Sequence, residues 1–167
     1  MPQAAQAANA VAIRLEVSIR RSPAEVFAFL TDVRNFARWQ EGIASIQQLD
    51  AGPWKKGTRI KTVHKFLLWN SLVDYSEIIS LEPDAGFRNQ GKAGNNAYRE
   101  EFRLETTADG TCLKYSADIT PGGVFIFLKS ISAWAFRGQM KRSFEKLKVL
   151  LEQPLQEAAI LTDASAI

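Results

Sequence analysis

The chain has 167 residues, 46% of them hydrophobic and 23% charged, which is the composition of one folded domain long enough to bury a core. Its 21 basic and 18 acidic residues leave a net charge of +3, too small and too dispersed for a nucleic-acid face, and no nucleic-acid partner is expected. No apolar run reaches the roughly 18–20 residues of a membrane span; the longest, GGVFIFLKSISAWAF, is broken by Lys129 and two serines, so no stable membrane insertion is expected.

The N-terminus MPQAAQAANA lacks the basic start and apolar core of a signal peptide. The single Cys112 cannot close an internal disulfide, which suits a reducing compartment, and the expected location is the cytoplasm. Residues 1–10 carry no apolar pattern and are expected as a tail, residues 11–153 as the domain, and residues 154–167 as a second tail.

VAIRLEVSIRR alternates, with Ile13, Leu15, Val17 and Ile19 on one side, and predicts a half-buried strand. Ser22, Pro23 and Glu25 then form a helix start: a cap, a proline at the first helical position and a capping-box glutamate. Val26, Phe27 and Leu30 share one face of that short helix. Thr31-Asp32 offers a second cap, and Phe36 and Trp39 lie three apart on a second short helix that Gly42 ends. IASIQQLD predicts a strand and AGPWKKG a turn, followed by strands from about Thr58 to Leu68 and from Asn70 to Leu81. EPDAG is a turn, FRNQG a short strand and KAGNN a loop. AYREEFRLET and TCLKYSADIT flank a hairpin turn placed on Asp-Gly; Tyr98, Glu100, Phe102 and Leu104 share a face of the first, and Leu113, Tyr115, Ala117 and Ile119 of the second. The stretch from Gly122 to Gln153 has no proline and repeats apolar residues at helical spacing, so one long helix ends near Pro154. Its basic residues Arg137, Lys141, Arg142, Lys146 and Lys148 read as a solvated face.

Seven strands joined by short turns make an antiparallel sheet, and only the last helix is long enough to cover its apolar face. The expected fold class is α+β: a seven-stranded curled antiparallel sheet wrapped around a long C-terminal helix, with two short helices after the first strand plugging one end.

SPAEVFAFLTDVRNFARW, GTRIKT, YSEIISLEP, DGTCLKYSADITPGG and the final helix, taken in that order over residues 11–153, resemble the polyketide cyclase/dehydrase branch of the START-like (SRPBCC, Bet v 1-like, helix-grip) superfamily. The resemblance implies a hydrophobic cavity between sheet and long helix. It also implies a small hydrophobic partner, lipid-like or polycyclic, in a superfamily of which only some members are enzymes.

Alternation places His64, the one histidine, on a strand face with Ile60, Thr62 and Phe66, where a neutral imidazole can accept a proton; a purely structural role is the plainer account. No acid is paired with it by spacing. Glu100 sits on an apolar strand face, where a carboxylate must be paired or protonated. Glu100 and His64 are thus the weak catalytic candidates. Tyr98 and Tyr115 can supply hydroxyls to the same space. Phe36, Trp39, Phe127, Ile131 and Trp134 are expected cavity-wall residues, and Trp54, Phe66, Leu68 and Trp69 a rim. One His and one Cys far apart do not make a zinc set, and no glycine loop has phosphate-cradling spacing, so neither metal nor cofactor is expected.

Three functions are compatible with these features. The first is binding of a small hydrophobic molecule in the cavity. The second is a polyketide cyclase or dehydratase using the same cavity, and the third a lipid-delivery or protein-interaction module. A homodimer remains open.

Overall fold

The structure, a computed structural model, describes residues 10–66, 70–122 and 129–153, with the backbone alone for Phe66, Asn70 and residues 129–132. β1 (Val11–Ile19) leads into α1 (Pro23–Thr31) and α2 (Val33–Trp39). The strands β2 (Ile43–Gln48), β3 (Arg59–Phe66), β4 (Asn70–Glu82), β5 (Gly86–Ala93), β6 (Asn96–Thr107) and β7 (Gly110–Thr120) follow, and α3 (Lys129–Glu152) comes last. The sheet order is β1-β7-β6-β5-β4-β3-β2, with every neighbour antiparallel. It is the expected seven-stranded sheet with a long C-terminal helix, the helix-grip arrangement.

Local chemistry sets the two short helices. The Ser22 backbone N–H donates to Glu25 Oε2 at 2.9 Å, and the Ser22 hydroxyl accepts from the Glu25 N–H at 3.3 Å, closing the capping box. Asp32 ends α1 and caps α2, its carboxylate accepting from the Arg34 N–H at 3.0 Å.

The strand boundaries correct the sequence reading in two places. The expected loop KAGNN is mostly strand: β5 runs on to Ala93, and only Gly94 and Asn95 form the turn. Gly94 takes φ 59° as the first central residue, the position where a two-residue hairpin of the II′ kind needs glycine. Pairing with β6 in register, Lys92 opposite Ala97 and Ala93 opposite Asn96, extends a segment whose polar composition reads as loop. In the β6–β7 hairpin the turn is Ala108-Asp109, one residue earlier than expected, and Gly110 already pairs with Thr107.

α3 is tied down near its middle and at its C-terminal end. The buried Ser143 hydroxyl accepts from the Glu41 N–H at 3.0 Å, and Gln139 Nε2 donates to the Glu41 carbonyl at 2.6 Å, locking the helix to the α2–β2 corner. At the far end Glu152 accepts from the Arg20 N–H at 2.8 Å, and Arg21 Nε donates to the Leu151 carbonyl at 2.7 Å, occupying an acceptor that the helix end leaves free. Arg142 pairs with Glu41, and Lys148, paired with Glu152 on its own helix, donates to the Ser18 carbonyl of β1, so two of the basic residues expected as a solvated face act as ties.

Seven aromatic rings form a closed circuit through the core: Phe36, Trp39, Phe144, Tyr115, Phe102, Phe87, Trp54 and back to Phe36, with centroids 4.6–5.8 Å apart. Such pairs add to the apolar area they bury. The circuit joins α2, α3 and the strands β5 to β7 into one body.

Candidate functional site

The concave face of the sheet carries polar side chains where a plain core would be apolar. Thr62 and His64 on β3, Asp74 and Ser76 on β4, Asn89 on β5, and Tyr98 and Glu100 on β6 border one cavity of about 40 Å³. Phe36 of α2, Gln40 just past its end, Ile46, Trp54, Ile60, Phe87 and Phe102 complete its wall. That volume holds roughly two to three waters or the end group of a ligand.

Strand register brings these groups together. Thr62 pairs with Asp74, Asn89 with Glu100, and Glu100 with Ala117, so a polar belt crosses the sheet. Asn89 Nδ2 donates to Glu100 Oε2 at 3.2 Å, and the Tyr115 hydroxyl, from the diagonal position on β7, donates to Glu100 Oε1. The Tyr98 hydroxyl donates to Asp74 Oδ2 at 2.7 Å although β5 lies between their strands. Gly91 makes that reach possible. It stands opposite Tyr98, and a Cβ there would lie 2.5 Å from the Tyr98 hydroxyl oxygen.

Burial dominates the electrostatics. It pushes the Glu100 carboxyl above its usual range, against the lowering effect of the bonds from Tyr115 and Asn89; the nearby Asp74 adds to the rise and His64 opposes it. Glu100 keeps some accessible surface where it borders the cavity. Burial, then the charge of Glu100, holds the Tyr98 and Tyr115 phenols well above the ordinary tyrosine value. Both therefore stay protonated donors at neutral pH. His64 Nε2 lies 3.9 Å from Asp74 Oδ2, near enough for attraction and too far for a hydrogen bond. Asp74 is only 5% exposed, and its Oδ1 has no hydrogen-bond partner; nor do Asn89 Oδ1 and Trp54 Nε1. A buried acceptor left unpaired costs about 1–3 kcal/mol.

Of the residues singled out in the sequence, Phe36, Trp54, His64, Tyr98 and Glu100 border the cavity, and Tyr115 stands behind Glu100. Trp39 does not: it is fully buried and stacked on Phe144, a core residue. Trp134 is 79% exposed, which corrects its expected place in a cavity wall. Helical spacing gives a residue's neighbours on its own helix, not which face meets the sheet. Trp54 is likewise no rim residue; it is 8% exposed, edge-on to Phe87 at 5.3 Å. Phe127, Leu68 and Trp69, and the side chains of Phe66 and Ile131, lie outside the described residues.

Asp74 and Asn89 were missed. In β4 the polar Asp74 and Ser76 are buried while Val73 and Tyr75 are exposed, so hydrophobicity read alone assigns the faces backwards. The recoverable signal was pairing. If Ile60 and Thr62 face inward, their partners Ser76 and Asp74 must as well. Among the described residues no group of three or more His, Cys, Asp or Glu side chains is gathered as a metal site.

Comparison with known proteins agrees with this architecture. The chain is similar to TTHA0849 from Thermus thermophilus, with a TM-score of 0.70 and 13% identity over 83% of this chain and 94% of that one. It is similar to Ara h 8.0201, with a TM-score of 0.63 and 12% identity over 85% and 97%. It also matches StfQ, the di-domain ARO/CYC of the steffimycin biosynthetic pathway, with a TM-score of 0.73 and 8% identity over 90% of this chain and 53% of that one. Identities this low speak to the fold alone. No curated protein matches the chain. The sequence profile described as polyketide cyclase / dehydrase and lipid transport matches residues 10–152, nearly all of the described fold, and the chain belongs to that START-like family.

Proposed function

We propose that this protein binds a small, largely hydrophobic molecule through the cavity on the concave face of its sheet, with the polar belt fixing the ligand's orientation. The observation that carries this reading is the cavity itself, bordered by Phe36, Trp54, Phe87 and Phe102 together with Asp74, Asn89, Tyr98 and Glu100. Apolar and aromatic groups joined by convergent polar ones are the usual make-up of a ligand site, and here the two kinds line the cavity in about equal number. Apolar contact would supply most of the affinity, at roughly 25 cal/mol per Å² buried. The cavity fits only one end of such a ligand, so the aromatic wall must shift to admit the rest. Native mass spectrometry of gently purified protein, with binding of an apolar fluorescent dye, tests this. A bound small molecule, or dye binding abolished in a folded Ser76→Val variant that fills the cavity, is the expected result. Absence of both ligand and dye binding would sink it.

One observation favours a second reading, catalysis of a dehydration or cyclisation. Asp74 and Glu100 border one cavity in different settings, and burial favours the protonated form of Glu100. Carboxyl groups set apart in this way can serve as acid and base. On this reading Glu100→Gln removes turnover and leaves ligand affinity within about threefold; equal loss of both returns the site to binding alone.

A further inference from the structure

The polar belt is unbalanced in a way that says which end of a ligand it can hold. Three of its donors are already committed inside the belt: Tyr98 to Asp74, and Tyr115 and Asn89 to Glu100. Two acceptors on lining residues have no hydrogen-bond partner: Asp74 Oδ1, on a carboxylate more than nine-tenths buried, and Asn89 Oδ1. Trp54 Nε1, a neutral donor on another lining residue, likewise has no partner. Among the described residues two carboxyl groups border the space, His64 is the one basic residue, and no Lys or Arg lines it.

We propose that the cavity selects ligands whose buried end is a hydrogen-bond donor without negative charge, a hydroxyl or a protonated amine, and rejects those ending in carboxylate or phosphate. The proposal rests on the cavity being the ligand site and adds the class of group that enters it. An anionic end would be placed beside the buried Asp74 carboxylate with no Lys or Arg among the described lining residues to meet it, and like charges in a poorly solvated space repel strongly. A hydroxyl can donate to Asp74 Oδ1 while its lone pairs remain available to Trp54 Nε1. An ammonium group can donate to Asp74 Oδ1 and Asn89 Oδ1 together. The volume of about 40 Å³ suits such an end group and one or two carbons.

A matched series tests the rule: octanol, octylamine and octanoate share one apolar chain and differ only in the end. Each is titrated into the full chain at neutral pH in competition with a bound apolar dye. The expected result is that octanol or octylamine displaces the dye at concentrations at least tenfold below octanoate. Whichever of the two is the tighter names the preferred end. Asp74→Asn, which keeps an acceptor for the Tyr98 hydroxyl but loses the charge, should shrink the margin over octanoate to less than threefold. If the dye binds but octanoate competes as well as the others, the donor rule is wrong while the ligand site stands. If neither dye nor any of the three binds, the ligand site and the rule fall together. The unmodified protein decides between these outcomes even if the variant does not fold.

Discussion

At the scale of single residues, one missing Cβ organises the site. Gly91 lets the Tyr98 ring lie across β5, and Gly91→Ala would press a methyl against the Tyr98 hydroxyl and the Tyr75 carbonyl oxygen, 2.5 and 2.8 Å from the Cβ position. Backbone cannot yield easily, so the expected cost is about 1–3 kcal/mol, read from urea unfolding. Tyr98→Phe should cost a similar amount, about 1–3 kcal/mol, by leaving Asp74 Oδ2 without its donor. The double variant should cost less than the sum, because both changes break one contact; strict additivity would show that Gly91 does not act through Tyr98. Glu100 makes a pH prediction. Its folded-state value is raised by burial above 4.5, so between 4.5 and the folded value the native chain binds more protons than the unfolded one. That contribution to stability is full below about pH 4.5 and is lost as pH rises through the folded value. Glu100→Gln removes the trend. The stability of the variant relative to the parent should therefore rise as pH increases from 4.5 through the folded value of Glu100, and a constant difference would contradict the assignment.

At the scale of elements, α3 is held by polar ties of unequal value. Ser143 is fully buried and answers the Glu41 N–H, whereas the Arg142–Glu41 pair is well exposed. Ser143→Ala should cost about 1–2 kcal/mol through the unpaired N–H. Arg142→Ala should stay within about 0.5 kcal/mol. Equal effects in urea unfolding would mean that the corner is held by charge and not by the buried hydroxyl. The opposite end, where Arg21 answers the Leu151 carbonyl and Glu152 the Arg20 N–H, fixes α3 against the end of β1. Together these ties set the helix that carries Phe144 into the aromatic circuit, and so the wall beside which the cavity sits.

At the scale of the whole molecule, the sheet is open, with β1 and β2 as its edges, and packing joins its two ends through the helices. α3 packs on β1 and α2 on β2, while α2 meets α3 across the aromatic circuit. A ligand gripped between such parts must stabilise the fold. At a free concentration a hundredfold above its dissociation constant, the expected gain is about 2.7 kcal/mol. Thermal unfolding with and without the tighter of the tested alcohols and amines checks this, and a bound ligand that leaves the midpoint unchanged would place its site outside the folded body.

Much of this architecture can be read from residue order. The alternation of β1, β6 and β7, the Ser22–Glu25 capping box and the proline-free final segment are local patterns, and each became the element its pattern predicts. Local pattern also put Glu100, Tyr98 and Tyr115 on inward faces, because their strands alternate cleanly. It failed where a distant partner decides the outcome. Asp74 turns inward because β4 pairs with β3, although Val73 and Tyr75 are the more apolar residues. β5 extends through Lys92 because β6 offers it a partner, and Trp134 faces solvent because the ties at Glu41 and Arg20 set the rotation of α3. Periodicity is a property of neighbours along the chain, so sequence alone yields the elements and their order. Which side chains meet in the cavity depends on contacts between residues far apart in the chain, and only the packed structure brings Asp74, Tyr98 and Glu100 to one place.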